Sequence, residues 1–233
     1  MITINQFLIV NDFMALNHTK IDWPKLDYTF NPIIGCQRAC SYCYGRRLND
    51  RFKWISDWKK PEFFPERLEQ FKKDLMRLKK PSKFFIGSMS DIFGKNIPDD
   101  WIVKILGITN NFTNHQFMYL TKNPERYLNY RFFDNTWLGI TIDKIYNDTN
   151  TKINILHTLK IGGNKTFISF EPLLGNVAQL FDPKNSVSLQ MQKIDLLIVG
   201  AQTGVDTVIP KKEWIQAIKH PNIHYKNNIL KYV

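Results

Sequence analysis

No cysteine occurs before residue 36 and none after residue 43; Cys36, Cys40 and Cys43 all lie in the stretch CQRACSYCY. Three thiols cannot all pair, and two of them stand three positions apart. A disulfide scaffold is therefore not expected, and a reducing, cytoplasmic setting is. No apolar run approaches the ~20 residues of a membrane-spanning helix, so no membrane partner is expected. The opening residues MITINQFLIVNDFM lack the basic segment and small-residue cleavage site of a signal peptide. No repeat and no low-complexity tract interrupts the chain, which argues against solenoids and disordered linkers.

What is present is enough for a core. Of 233 residues, 43% are hydrophobic and 14% aromatic, the composition of a folded domain. The net charge is +11, which favours an acidic partner such as a nucleic acid, a nucleotide or a phosphate. The charge is not evenly spread. Residues 38–83 hold 14 basic and 6 acidic side chains, and six of the eight arginines lie between Arg38 and Arg77. The excess flanks the cysteines.

From residue 28 onward, short apolar runs rich in β-branched and aromatic residues alternate with helical patterns. The strand candidates are 28–35, 83–87, 115–121, 137–142, 165–170, 195–200 and 222–226. Continuous apolar strands of this kind are those of buried parallel sheets. Helices are expected between them at 65–80, 98–111, 123–130, 149–163 and 210–220. The first has Pro65 placed for its opening turn, with Leu68, Phe71, Leu75 and Leu78 at helical spacing. Strand–helix alternation means βαβ units. About six parallel strands in some 200 residues are too few for a closed eight-fold barrel, so the expected fold is α/β, a partial, open βα barrel. A doubly wound sheet is the alternative. Residues 1–27 read as an N-terminal appendage and 28–233 as the barrel domain.

In either architecture ligands sit at the carboxyl ends of the strands. Polar residues recur there: Ser88, Ser90 and Asp91; Thr121 and Lys122; Thr141 and Asp143; Ser169 and Glu171; Gln202 and Thr203; Lys226. Any one of them is equally well a turn or helix-capping residue. Their recurrence after nearly every strand is the signal, and Cys36 follows the first strand, facing the same end.

The cysteine spacing is i, i+4, i+7. Structural zinc wants four ligands, and no histidine lies near; a distant fourth ligand would be needed. A catalytic thiol would leave the other two unexplained. An iron–sulfur cube normally takes four cysteines. With three, one iron keeps an open position, and an open position means chemistry.

The CxxxCxxC loop resembles that of radical SAM enzymes, in which S-adenosylmethionine binds the open iron of a 4Fe-4S cluster. Its reductive cleavage there releases a 5′-deoxyadenosyl radical. IDWPKLDYTFNPIIGC, FFIGSMSDIFG, YLTKNPERY, WLGITID, FISFEPLLG and LLIVGAQTG occur in this order. Together they resemble a phage-encoded and bacterial radical SAM family of largely unassigned function, over about residues 21–227. The resemblance implies a partial βα barrel with one cluster on Cys36, Cys40 and Cys43. It implies an external electron donor such as flavodoxin or ferredoxin. It places Tyr42 beside the adenine, Ser88, Ser90 and Asp91 near the amino group of S-adenosylmethionine, and Thr141, Asp143, Ser169 and Glu171 near its ribose or methionine part. Ala201-Gln202 stands where many members carry Gly-Glu, and an amide cannot exchange a proton as a carboxylate does.

Lys122, Gln202 and Lys226 are the substrate-binding candidates. The expected substrate is a nucleobase, nucleotide or nucleic acid, from the localised charge. An amino acid or peptide held by its carboxylate on Lys122 or Lys226 is the runner-up. A metal-stabilised nucleic-acid-binding module without catalysis is the rival outside enzymology. No side chain is singled out as catalytic. Arg38, Arg46 and Arg47 read either as compensation for a thiolate-rich cluster or as an exposed basic face. Interleaved Trp54, Trp58, Phe63 and Phe64 read either as a stacking surface for a nucleic-acid strand or as a lid packed on the barrel mouth.

Overall fold

The computed structural model describes residues 16–204 and 206–233. Residues 1–15 of the expected appendage lie outside them. The elements run in the order β1 (Asn17–His18), β2 (Tyr28–Phe30), β3 (Ile33–Ile34), α1 (Tyr44–Phe52), β4 (Glu62–Phe63), α2 (Pro65–Arg77), β5 (Lys83–Ile86) and α3 (Asp99–Thr109). They continue with β6 (Gln116–Thr121), β7 (Thr136–Thr141), α4 (Thr149–Ile161), β8 (Lys165–Phe170), α5 (Ser188–Lys193), β9 (Leu196–Val199), α6 (Lys212–Gln216), β10 (Ile223–Tyr225) and α7 (Asn227–Leu230). Two 3-10 turns cover Pro124–Asn129 and Ala178–Phe181.

The main sheet has the order β1-β2-β5-β6-β7-β8-β9-β10. Seven strands, from β2 to β10, run parallel, and β1 pairs antiparallel at the β2 edge. This is the expected open half-barrel, and each of the seven candidate runs supplies one of its parallel strands. The run 28–35 is not one strand. Pro32 cannot donate to a ladder, and the chain turns there. β2 stays in the barrel while β3 pairs with β4 in a two-stranded ribbon. The helix expected at 123–130 is a short 3-10 turn, and that at 210–220 shortens to α6.

Period-two alternation divides the apolar residues between two faces. Phe84, Ile86, Phe117, Tyr119, Ile168, Leu197 and Val199 join the core that includes Leu68, Phe71 and Leu75 of α2, Ile102 and Ile105 of α3, and Ile153 and Leu156 of α4. Their neighbours Phe85, Met118, Phe167, Leu196 and Ile198 form a second cluster on the inner face, and Trp23 packs among them. The Trp23 ring lies 4.5 Å from that of Phe85 and meets Phe167 edge-on at 5.5 Å. The segment between β1 and β2 thus fills the inside of the bowl. Asp22 fastens it to the far edge, accepting from Asn227 N at 2.6 Å and lying 2.9 Å from His224 Nε2.

Gly139 makes room for this packing. A Cβ there would lie 2.2 Å from Phe167 Cζ. Gly139→Ala would push the ring against Trp23 and is expected to cost about 1–3 kcal/mol, read as a lower urea midpoint with unchanged slope. An unchanged midpoint would mean that the inner face tolerates the extra methyl.

Candidate active site

The cysteine loop leaves the sheet through Gly35. Its φ is +102°, and a Cβ would lie 2.8 Å from Ile55 Cδ1 and 2.9 Å from the Trp58 carbonyl. Only glycine fits this bend. Cys36 N then donates to Trp58 O at 2.8 Å, and Cys43 N donates to Cys40 O at 3.1 Å. Cys43 is also the N-cap of α1, its Sγ accepting from Arg46 N at 3.4 Å. Between the first two cysteines Ala39 sits in the left-handed region at φ 42°, a strained position for a side chain with a Cβ. Arginines hold the loop in shape. Arg46 donates to Ala39 O at 3.0 Å and Ser41 O at 3.3 Å, and Arg47 donates to Tyr42 O at 3.0 Å. Arg38 reaches across to Asn123 Oδ1 at 2.8 Å and Lys122 O at 3.2 Å.

All three cysteines are free thiols, half-buried, on the wall of a cavity of about 680 Å³. Burial pushes the Cys36 thiol up to about 11, with the Asp91 carboxylate adding to the effect, and burial raises Cys43 as well. A metal centre binding here would have to displace those protons. Among the described residues, no three His, Cys, Asp or Glu side chains converge on one point where a single ion could sit.

Tyr42, Ser88, Ser90, Asp91, Thr141, Ser169 and Glu171 line the same cavity as the cysteines. So do Lys122, Gln202 and Lys226. Asp143 does not line it but stands directly behind, bonded to Tyr42 and Lys122. The parallel strands deliver these groups from β5 through β10 to one mouth.

Asp91 is half-buried, and desolvation raises its carboxyl against the pull of its hydrogen bonds. It accepts from Thr121 Oγ1 at 2.6 Å, Lys122 N at 3.1 Å and Asn123 Nδ2 at 3.4 Å. Its side chain therefore ties β5 to the turn after β6 and does not cap α3. Asn31 has a similar task, accepting from Ser88 Oγ at 3.1 Å and Met89 N at 3.0 Å. Burial alone would raise Asp143, but the Lys122 ammonium and the Tyr42 hydroxyl hold it below the usual carboxylate range. Lys122 Nζ also donates to Tyr42 Oη at 2.6 Å. Burial and the Asp143 carboxylate push the Tyr42 phenol far up. Lys226 pairs with Glu171, whose other oxygen accepts from Trp23 Nε1 at 3.3 Å. Both lysines expected to grip an anion thus already face a carboxylate of the chain. Gln202 Oε1 accepts from Val208 N at 3.1 Å, steadying the loop after β9.

Two buried hydroxyls on the wall, Ser90 Oγ and Ser169 Oγ, have no hydrogen-bond partner among the described residues. Buried polar atoms of this kind mark places where a ligand or water completes the bonding. Sequence reasoning missed Trp23 and Tyr44 as lining residues; Trp58, one of the residues read as a lid on the barrel mouth, also lines the cavity. Trp23 lies in the segment read as an appendage, and its contact with Glu171 spans 148 positions, so no local pattern announces it.

Among the described residues no helix is long and apolar enough to cross a membrane. No relative matches among curated proteins. Solved structures with the same fold are spore photoproduct lyases. A double variant with bound AdoMet and dinucleoside spore photoproduct aligns with TM-score 0.58 at 15% identity, over 88% of this chain and 62% of that one. A complex with dinucleoside spore photoproduct gives the same figures. A single-substitution variant aligns at TM-score 0.56 and 16% identity, over 80% and 58%. The chain thus spans about three fifths of the length of these structures, and at such identity the likeness is one of fold. The shared fold is the open α/β half-barrel of seven parallel strands. A family model described as "Protein of unknown function (DUF5131)" matches residues 18–227. That match runs through the cysteine loop, the bowl and every strand from β2 to β10, and the chain belongs to the DUF5131 family.

Proposed function

We propose that the protein is a radical SAM enzyme, with Cys36, Cys40 and Cys43 holding one 4Fe-4S cluster and the bowl beneath it receiving S-adenosylmethionine and a substrate. The observation that carries this reading is the meeting of the three thiols with two unpartnered buried hydroxyls, Ser90 and Ser169, on one cavity at the carboxyl end of a parallel half-barrel. When bound, the cluster and S-adenosylmethionine would supply the radical chemistry for hydrogen abstraction from the substrate, with the electron drawn from an external donor such as flavodoxin or ferredoxin.

The chain's own residues bind, orient and exclude water. Gly35 and the Arg46 and Arg47 contacts fix the backbone of the loop that carries the thiols. Asp91 keeps acceptor capacity beyond its three bonds and suits an ammonium, with Ser88 and Ser90 beside it. Thr141, Ser169 and Glu171 suit hydroxyls. Asp143 and Lys122 orient Tyr42 at the loop. Trp23, Phe85 and Leu120 give the cavity an apolar wall, which a reactive radical requires.

The substrate we assign is a nucleobase, alone or within a nucleotide or nucleic acid. The basic surroundings support it, as do the dinucleoside ligands named for the structural neighbours. Gln202 and Lys226 lie on the wall where it would rest. A substrate carboxylate is disfavoured because it would have to displace Asp143 or Glu171 from an existing ion pair. Anaerobic reconstitution tests the reading. About four irons per chain and dithionite-dependent release of 5′-deoxyadenosine are expected; one bound zinc and no cleavage would overturn it.

A further inference from the structure

The nucleobase reading leaves open whether the base arrives free or on a strand, and a surface outside the cavity bears on this. α1 begins at the cavity, where Tyr44 forms part of the wall, and ends at Phe52. Phe52 lies eight residues on, about 12 Å along the axis at 1.5 Å per residue. It is 46% exposed. Its ring stacks on Trp54 with centroids 5.3 Å apart and planes 12° from parallel, and the Arg51 guanidinium lies 5.1 Å over it.

This cation–aromatic stack is rigidly presented. Lys53 ends the helix in the left-handed conformation, at φ 56°, its N–H donating to Asn49 O at 2.7 Å. The buried Asn49 side chain clamps the turn, donating to Ile55 O and accepting from Ile55 N, both at 3.0 Å. A left-handed lysine and a buried amide clamp hold the exposed Phe52 ring against Trp54, which is itself half-buried on the Ile55 and Trp58 cluster.

The charge agrees. Arg38, Arg46, Arg47, Arg51 and Lys53 make no salt bridge among the described residues, whereas Lys122 and Lys226 inside the cavity are each paired with a carboxylate. Cations without a salt bridge therefore run along α1 and reach the cavity at Arg38, whereas the two lysines deeper in the cavity are paired. A polyanion carrying neutral rings matches both halves: phosphates along the helix, one base in the cavity. Stacked aromatics beside arginine are the platform on which single strands bind.

We propose that α1 and its clamped turn, from Arg46 to Trp54, form a track for single-stranded nucleic acid that delivers a base of the strand into the cavity. This rests on the nucleobase reading of the site and extends it: the substrate is a residue of a polymer. Phe52 and Trp54 stack a neighbouring base, and Arg51 and Lys53 contact phosphates.

Fluorescence anisotropy with labelled 12-nucleotide DNA and RNA strands tests the track, using the full chain before and after reconstitution. Phe52→Ala is expected to weaken binding about tenfold, the effect of one lost stacking partner. Arg51→Gln is expected to reduce the salt dependence by about 0.7 in log–log slope, one phosphate contact on a single strand. Iron content and 5′-deoxyadenosine release without oligonucleotide should stay unchanged in both variants. Stronger binding of DNA or of RNA identifies the source of the strand. Equal binding by wild type and Phe52→Ala overturns the track, even if cluster and cleavage are intact. Unchanged strand binding with slower reduction by flavodoxin in Arg51→Gln also overturns it, assigning the face to an acidic redox protein. Loss of strand binding in Phe52→Ala by a protein that takes up no iron would keep the track and overturn the radical reading alone.

Discussion

Cys40→Ala is expected to reduce iron after anaerobic reconstitution from about four per chain to background, and to abolish 5′-deoxyadenosine release. A cube held at three corners has no spare protein ligand, and no other cysteine exists in the chain to replace the lost one. The fold should not notice. The Cys40 carbonyl that accepts from Cys43 N belongs to the backbone and survives the change. The loop is held by Gly35 and by the arginine contacts to Ala39, Ser41 and Tyr42, none of which uses the Cys40 sulfur. The urea midpoint of the iron-free protein should therefore stay within about 0.5 kcal/mol of wild type, as for substitutions away from the core. That pairing of results separates a ligand from a packing residue. Retained visible absorbance and iron in Cys40→Ala would contradict the ligand assignment. A collapse of the iron-free fold would instead make Cys40 structural.

The parts of this molecule legible in its sequence are those governed by local rules. Lys165–Phe170 is a strand over the whole of the run that its apolar residues mark. Pro65 opens α2 at the position its missing N–H favours. The polar residues after successive strands gather because parallel strands all end at the same mouth. α1 was not legible for an equally local reason. Only Gly45 and Asn49 of YGRRLNDRF are buried, so the helix has no apolar stripe for periodicity to find. Its burial is instead a close approach: a Cβ at Gly45 would meet Trp58 at 2.9 Å. Nor were the ion pairs legible. Lys122 and Lys226 read as single cations free to grip an anion. Their partners, Asp143 and Glu171, stand 21 and 55 positions away and meet them only because the sheet curves. Trp23 belongs with them, since its place inside the bowl depends on the strap from β1 to β2 crossing to the β10 edge.

The Lys122–Asp143 pair carries the largest stability effect expected near the site. Asp143 retains 3% of its side-chain exposure and Lys122 17%. Asp143→Ala would leave the ammonium against the cavity wall with only the Tyr42 hydroxyl as acceptor. Breaking a buried pair from one side costs about 3–5 kcal/mol, and some solvent at Lys122 places this case near 3. With a urea slope of about 2–3 kcal/mol per molar for a chain of this size, the midpoint should fall by about 1 M. The joint variant Lys122→Met with Asp143→Leu should lose less than Asp143→Ala, because no charge is left uncompensated. The pH dependence has a definite sign. Asp143 is held below its ordinary value of 3.8. Its contribution is present above that value and is lost as pH falls through the lower folded-state value. Wild type and Asp143→Ala should therefore differ fully at pH 7 and converge only in strong acid. Because Asp143 also holds Tyr42, the variant should take up iron less completely at equal protein concentration. Equal midpoints at pH 7 would show that the pair is screened by solvent, and equal iron uptake would show that Tyr42 is fixed by the loop alone.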